Sequence, residues 1–178
     1  MPRLVVRPAA VTDAAAIAAV HVRAWQAGYA HVLPASYLAG LDVRERAVRW
    51  HERLSAGGSA VLVCLDGDRL VGFVSFGPRR ADDGDDTDAG RAGEVYAIYV
   101  DPACWGAGVG RALLGEAQRR LAVTFAVVTL WVLEDNPRAR RFYEGAGWSP
   151  DGVAKDAEIG GVVVREVRYR RTLTPERR

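Results

Sequence analysis

The sequence predicts a mixed α/β fold, a mixed sheet covered by helices, on three observations. Strand-like and helix-like segments alternate in the order β-α-α-β-β-β-α-β-α-β-β, which is seven strands and four helices. The segment Glu94–Leu133 reads strand, helix, strand, so its two strands should be parallel. The chain of 178 residues is 49% apolar, enough for one domain, residues 1–178, with a full core.

Each element has its own signal. RLVVR, Arg3–Arg7, is a short first strand closed by Pro8. Thr12-Asp13 offers an N-cap, and Ile17, Val20, His21, Ala24 and Trp25 recur at helical spacing, giving a helix to about Tyr29. Ala30–Leu38, with Pro34, reads as a loop. Asp42 and Glu45 form a capping box for a second, amphipathic helix, VRERAVRWHERL. In SAVLVCLDGDRLVGFVSFG two apolar runs flank Asp66-Gly67, a hairpin signal. The polar, glycine-rich PRRADDGDDTDAGRAG follows, an exposed flexible loop over about residues 80–93. Glu94–Val100 is a strand stopped by Asp101-Pro102. A glycine-rich turn then opens a helix with Leu113, Leu114, Ala117 and Leu121 on its buried stripe. Thr124–Leu133 is an apolar, β-branched strand. Asn136-Pro137 caps a short helix, RARRFYEGAG, which ends at Gly147, a C′ glycine. Val162–Tyr169 is the last strand, paired with residues near Val153–Ile159, and residues 172–178 form a tail.

Composition excludes several classes. Twenty-four basic and 22 acidic side chains give a net charge of +2, and no basic run carries interleaved aromatics, so nucleic acid is not an expected partner. No window approaches a membrane-spanning apolar length, and the start lacks a signal-peptide h-region, so no membrane association is expected. Cys64 and Cys104 make neither a disulfide framework nor a zinc site, and His21, His31 and His51 lack metal spacing. The expectation is a reduced, cytoplasmic protein with no metal.

The stretch YVDPACWGAGVGRALLGEAQ is the chemically suggestive one. A helix start leaves about four backbone N–H groups without partners, at the positive end of the helix dipole. Glycines let an anion approach those amides. Gly106-Ala107-Gly108-Val109-Gly110-Arg111 therefore fits a phosphate cradle, and spacing alone fits a tight strand–helix turn equally well. A Walker loop is absent. The dinucleotide pattern G-x-G-x-x-G would need glycine where Arg111 stands.

V-D-P-x-x-x-G-x-G-x-G-R-A-L-L resembles the coenzyme A loop of the GNAT superfamily of N-acetyltransferases, whose pattern is Gln/Arg-x-x-Gly-x-Gly/Ala. Gly108 and Gly110 match it, and Trp105 departs from it at the Gln/Arg slot. LWVLEDNPRARRFYEGAGW resembles that family's later motif, with Asn136, Ala139, Phe142, Tyr143, Gly147 and Trp148 in its slots. HVRAWQAGYAHVLP is similar to the family's first helix and substrate-side loop. Two motifs in the family's order and a matching element order extend the resemblance over nearly the whole chain.

The resemblance implies a mostly antiparallel, twisted sheet with a splayed central parallel pair. It implies an acetyl-CoA-dependent transfer to a primary amine of a small or amino-acid-like acceptor, by direct attack in a ternary complex. The backbones of Ile98, Tyr99 and Val100 would hold pantetheine, the amides of Gly106 through Arg111 the pyrophosphate, and Asn136 the arm near its thioester end. Tyr143 occupies the slot of the family's thiol-protonating tyrosine; the alternative is a core tyrosine. Glu94 begins the strand where many members place a glutamate acting through water; the alternative is an exposed strand-end carboxylate. Trp131 stands where some relatives place a different glutamate. Trp25, Tyr29, His31 and Tyr96 are the candidates for acceptor contact, with core packing the alternative for Trp25. The acidic run Asp82, Asp83, Asp85, Asp86 and Asp88 could attract a cationic amine, or be a solvated loop. Two other functions fit the same motifs, acetylation of a protein N-terminus or lysine, and a non-catalytic acyl-CoA sensor. The resemblance also implies a possible homodimer.

Overall fold

Hydrogen bonding orders seven strands as β1-β2-β3-β4-β5-β7-β6 in a computed structural model that describes residues 4–80 and 91–173. The strands are β1 Leu4–Pro8, β2 Ala60–Asp66, β3 Arg69–Pro78, β4 Gly93–Val100, β5 Val127–Leu133, β6 Ser149–Ile159 and β7 Val162–Thr172. The helices are α1 Ala14–Gly28, α2 Ala35–Ala39, α3 Val43–Ala56, α4 Val109–Leu121 and α5 Pro137–Gly145. β1–β2, β2–β3, β5–β7 and β6–β7 are antiparallel, and β4–β5 is parallel, as the strand–helix–strand reading requires. The acidic run at 82–88 lies outside the described residues.

The chain divides into two compact units, with β3 and β4 passing through both. The first comprises residues to Phe76 together with Ala97–Ala117. Its core joins Ile17, Ala18 and Val20 of α1 and Trp50 of α3 to Val61, Val63, Leu70 and Phe73 of the β2–β3 hairpin. Ile17, Val63 and Phe73 are wholly removed from solvent, and each such side chain contributes about 1.5–3 kcal/mol of transfer free energy. The second unit comprises Gly77–Tyr96 and the chain from Gln118. There β5, β7 and β6 form an antiparallel ladder, on which Tyr169 is fully buried.

Several local readings are corrected. Asp13 sits at the start of α1, yet its carboxylate accepts from the Ala10 amide and the Arg7 guanidinium, closing a 3₁₀ turn over Val11–Asp13 instead of capping α1. Pro34 does not keep Ala30–Leu38 a loop throughout: it precedes the five-residue α2, because its fixed φ suits the residue before a helix. The described residues thus hold five α-helices, in keeping with the expected count of about four. The hairpin turn is Gly67-Asp68, since Asp66 pairs with Arg69. Gly93, expected in the loop over 80–93, already belongs to β4, and Arg79 N–H donates to the Ala92 carbonyl at 2.8 Å; residues 81–90 of the expected loop lie outside the described residues. β5 begins at Val127, not Thr124, because the chain after α4 makes another turn in which Phe125 N–H donates to the Leu121 carbonyl.

Candidate active site

In the first unit, β4 hands over to the glycine turn through Asp101. Its amide donates to the Val71 carbonyl at 2.8 Å, and its carboxylate accepts from Ala103 N–H, capping a 3₁₀ turn over Pro102–Cys104. The same carboxylate, nearly buried, binds Arg23 of α1 at 2.8 Å and Arg69 of β3 at 2.6 Å. Burial opposes its ionisation, but the hydrogen bonds from Arg69, Ala103 and Arg23 outweigh it and hold the carboxyl below the usual carboxylate range. Trp105, the departure from the family pattern, donates its indole N–H to the Val100 carbonyl at 2.9 Å and folds the turn back on the strand end.

Gly106 (φ 81°) and Gly108 (φ 86°) are left-handed, a conformation that side chains resist. A Cβ at either position would meet no protein atom within 4 Å, so backbone conformation, not crowding, demands glycine, and space lies open beside these peptides. The Ala107 amide is already used inside the turn, donating to the Cys104 carbonyl. The first bond of α4 runs from Ala112 N–H to the Gly108 carbonyl at 3.0 Å, so the amides of Val109, Gly110 and Arg111 occupy the unsatisfied first turn. Gly110 lies inside α4 and has no left-handed requirement. Packing fixes the start of α4, because a Cβ on Gly72 of β3 would stand 2.9 Å from Val109 and 3.1 Å from the Tyr99 carbonyl.

Aromatic side chains gather beside this end of β4. Tyr99 stacks on His21 at 4.8 Å, and its hydroxyl lies 3.2 Å from that of Tyr29, whose ring meets Trp25 edge-on. Two of the expected acceptor-side residues, Trp25 and Tyr29, are thus together. Trp25 is covered by the Arg46 guanidinium, and its indole N–H is buried without a partner among the described residues. His21 accepts from the Trp50 indole, and burial, followed by the nearby charges of Arg46 and Arg53, pushes its pKa down to about 3. His31 is exposed in the turn after α1.

In the second unit, the β4–β5 ladder consists of two pairs, Gly93–Val128 and Glu94–Thr129, and then stops; the parallel pair diverges almost from its start. A Cβ on Gly93 would collide with Leu121 and Phe125, so Glu94, the next residue, points to the opposite face of the sheet. Glu94 is 2% exposed, which corrects the alternative of an exposed strand-end carboxylate. Its Oε1 accepts from Arg80 Nη2 at 2.6 Å, and its Oε2 accepts from the Arg80 amide at 3.0 Å. Tyr96, two residues on, shares that face; the Arg80 guanidinium lies 4.5 Å from its ring centroid. The Tyr96 hydroxyl donates to the Pro78 carbonyl, and a Cβ on Gly77 would stand 2.6 Å from it.

Tyr143 is buried on α5, against Phe142, Trp148 and Tyr169. Asn136 caps α5 by accepting from Ala139 N–H at 3.1 Å. Gly147 (φ 83°) ends the helix, with Gly147 N–H donating to the Glu144 carbonyl and Trp148 N–H to that of Tyr143. Tyr169 of β7 donates to Glu144 at 2.7 Å and accepts from Arg140 at 3.1 Å, fastening α5 to the sheet. Trp131 lies under Lys155, 4.3 Å from its ring centroid.

Sequence reasoning missed Asp101 as the anchor of the turn, Arg80 as the partner of Glu94, and the Glu144–Tyr169–Arg140 clasp. Asp101-Pro102 carried a readable N-cap signal; the arginine partners carry none, since they come from other elements. Among the described residues no group of His, Cys, Asp and Glu could hold a metal ion, and no helix is long and apolar enough to cross a membrane.

Residues 20–148 match the acetyltransferase (GNAT) family. The chain is 39% identical to the N-acetyltransferase YuaI of Bacillus subtilis over 165 residues, 91% of this chain and 89% of that protein. Its fold is similar to that of the yncA protein of Salmonella typhimurium, solved with acetyl-CoA, with a TM-score of 0.71 and 22% identity over 99% of this chain and 97% of that one. It is also similar to the PaiA N-acetyltransferase of Thermoplasma acidophilum, solved with coenzyme A, with a TM-score of 0.72 and 16% identity over 96% and 99% of the two chains.

Proposed function

The chain belongs to the GNAT acetyltransferase family, and from that premise we propose that this N-acetyltransferase moves an acetyl group from acetyl-CoA to the primary amine of a small-molecule or amino-acid-like acceptor, by direct attack in a ternary complex. The observation that carries the cofactor is the turn at Gly106 and Gly108. Its left-handed backbone beside open space, leading into the first-turn amides of α4, fits a diphosphate without a metal or a lysine. The amides of Gly108 through Arg111 bind the diphosphate. The backbones of Ile98, Tyr99 and Val100 hold pantetheine by strand-like pairing, and Asn136 binds nearer the thioester. Bound acetyl-CoA supplies an activated acyl carbon with a thiolate leaving group.

The chain's own residues move the protons. An amine attacks only when neutral, so a base must take its proton; Glu94, a carboxylate buried at the point where β4 leaves β5, has that role, acting through water. A backbone amide near Tyr99 offers a donor to the developing oxyanion. Tyr143 gives its proton to the departing thiolate. Trp25, Tyr29, His31 and Tyr96 contact the acceptor.

Calorimetry with acetyl-CoA and CoA, followed by thiol release across an amine panel, tests the reading. Heat with both and amine-dependent thiol release are expected. No heat with a folded protein removes the cofactor site. Tight binding without acceptor-dependent turnover leaves an acyl-CoA sensor, and turnover confined to peptides moves the acceptor to protein termini or lysines.

A further inference from the structure

We propose that Arg80 holds the place of the acceptor's ammonium group, in a cation site formed by the Glu94 carboxylate and the Tyr96 ring, and that the acceptor is therefore a cationic amine that enters by exchange with this guanidinium. The inference rests on Glu94 serving the amine, as proposed above.

Two side chains of β4 two positions apart face the same way, a carboxylate and an aromatic ring. Between them lies one permanent cation. Arg80 binds Glu94 Oε1 at 2.6 Å and sits 4.5 Å from the Tyr96 centroid, which is the pairing of carboxylate and π-face that binds organic ammonium ions. The ring is set by its hydroxyl bond to the Pro78 carbonyl and by the absence of a side chain at Gly77. Glu94 and Tyr96 are strand residues with fixed directions.

The two partners differ in exposure. The Glu94 side chain is 2% exposed and that of Arg80 is 56% exposed. A carboxylate so deeply placed favours a cation beside it, because buried charge without a partner is costly. Its arginine side chain is half-exposed and can swing toward water when a second cation takes its place at the carboxylate. Replacing one cation by another keeps the charge of Glu94 balanced throughout. The Arg80 backbone amide, 3.0 Å from Oε2, keeps one carboxylate oxygen oriented during the exchange. An incoming ammonium also arrives with the proton whose removal Glu94 serves.

The test is Arg80→Ala, with Arg80→Gln as a second variant that keeps a polar side chain of similar length. Each is compared with the unaltered protein on alkylammonium acceptors and on an aromatic amine that is uncharged at neutral pH. In both variants the KM for alkylammonium acceptors should fall about tenfold, with kcat little changed and the KM for the uncharged amine unmoved. Methylguanidinium should compete with the alkylammonium acceptor about tenfold more tightly in the variants than in the unaltered protein. A rise in KM for the cationic acceptor, an equal change for both amine classes, or no competition by methylguanidinium overturns the proposal. If the unaltered protein acetylates no amine, the functional reading itself fails; if it acetylates amines while the variants show no cation-specific change, only the role of Arg80 fails.

Discussion

Two carboxylates near opposite ends of one strand, each held by arginine, do different work. Asp101, just past the end of β4, binds Arg23 from α1 and Arg69 from β3 while capping the 3₁₀ turn that leads to the glycines. Its partners come from two elements far away in sequence, so the carboxylate ties three pieces of chain together. Glu94, near the start of β4, binds one arginine through both of its oxygens. That arginine follows the end of β3, so the pair joins neighbours that the sheet already joins. The difference separates a carboxylate that ties distant elements together from one that, on the proposal above, exchanges its cation. Removing the first should damage the fold, and removing the second should damage chemistry.

The comparison can be broken from either side. The largest effect is expected at Glu94: Glu94→Gln should lower kcat/KM by about 10²–10⁴-fold, read as thiol release, with a thermal midpoint close to that of the parent, because the amide oxygen can still accept from the Arg80 backbone N–H while the half-exposed guanidinium turns to water. A loss of activity matched by loss of the fold would erase the distinction. Tyr143→Phe should lower kcat on the order of 10²-fold and leave acetyl-CoA binding by calorimetry unchanged, since only the hydroxyl is removed. Asp101→Asn should destabilise by roughly 2 kcal/mol, a fall of about 4–8 °C in the thermal midpoint, and should weaken CoA binding through the displaced turn.

The smallest effect concerns acid. The folded-state pKa of Asp101 is depressed, so its stabilisation is present above the unfolded value of about 3.9 and is lost only as pH falls through the folded one. His21 is also depressed, from 6.5 to about 3. The unfolded chain therefore takes up the histidine proton first, and stability falls with pH between those values, by about 1.4 kcal/mol per pH unit at most. Denaturant unfolding between pH 7 and pH 4.5 should show this slope, and His21→Gln should flatten it. An unchanged slope would assign the acid sensitivity elsewhere.

Features encoded within a few residues were legible. The glycine-rich turn before α4, the Asn136-Pro137 cap, the Gly147 terminator and the parallel strand–helix–strand each depend on local backbone chemistry. The seven strands and the family resemblance followed from them. Partner choice across the fold was not legible. Arg23, Arg69 and Arg80 look alike as surface arginines, and nothing near Glu94 in sequence says that Arg80 will cover it. The helix after Pro34 was missed because a five-residue segment is too short to display periodicity. Trp105 stood out as a departure from a motif, and only the coordinates show its indole clamping the end of β4.

Gly72 acts as a spacer for the first unit. With 2.9 Å between its absent Cβ and Val109, and 3.1 Å to the Tyr99 carbonyl, it sets how near the head of α4 may approach the sheet. A single methyl group there would work as a shim, lifting the first-turn amides of α4 without touching any of them. Position 72 is thus a dial by which nucleotide affinity could be graded while every residue of the glycine turn is left as it stands.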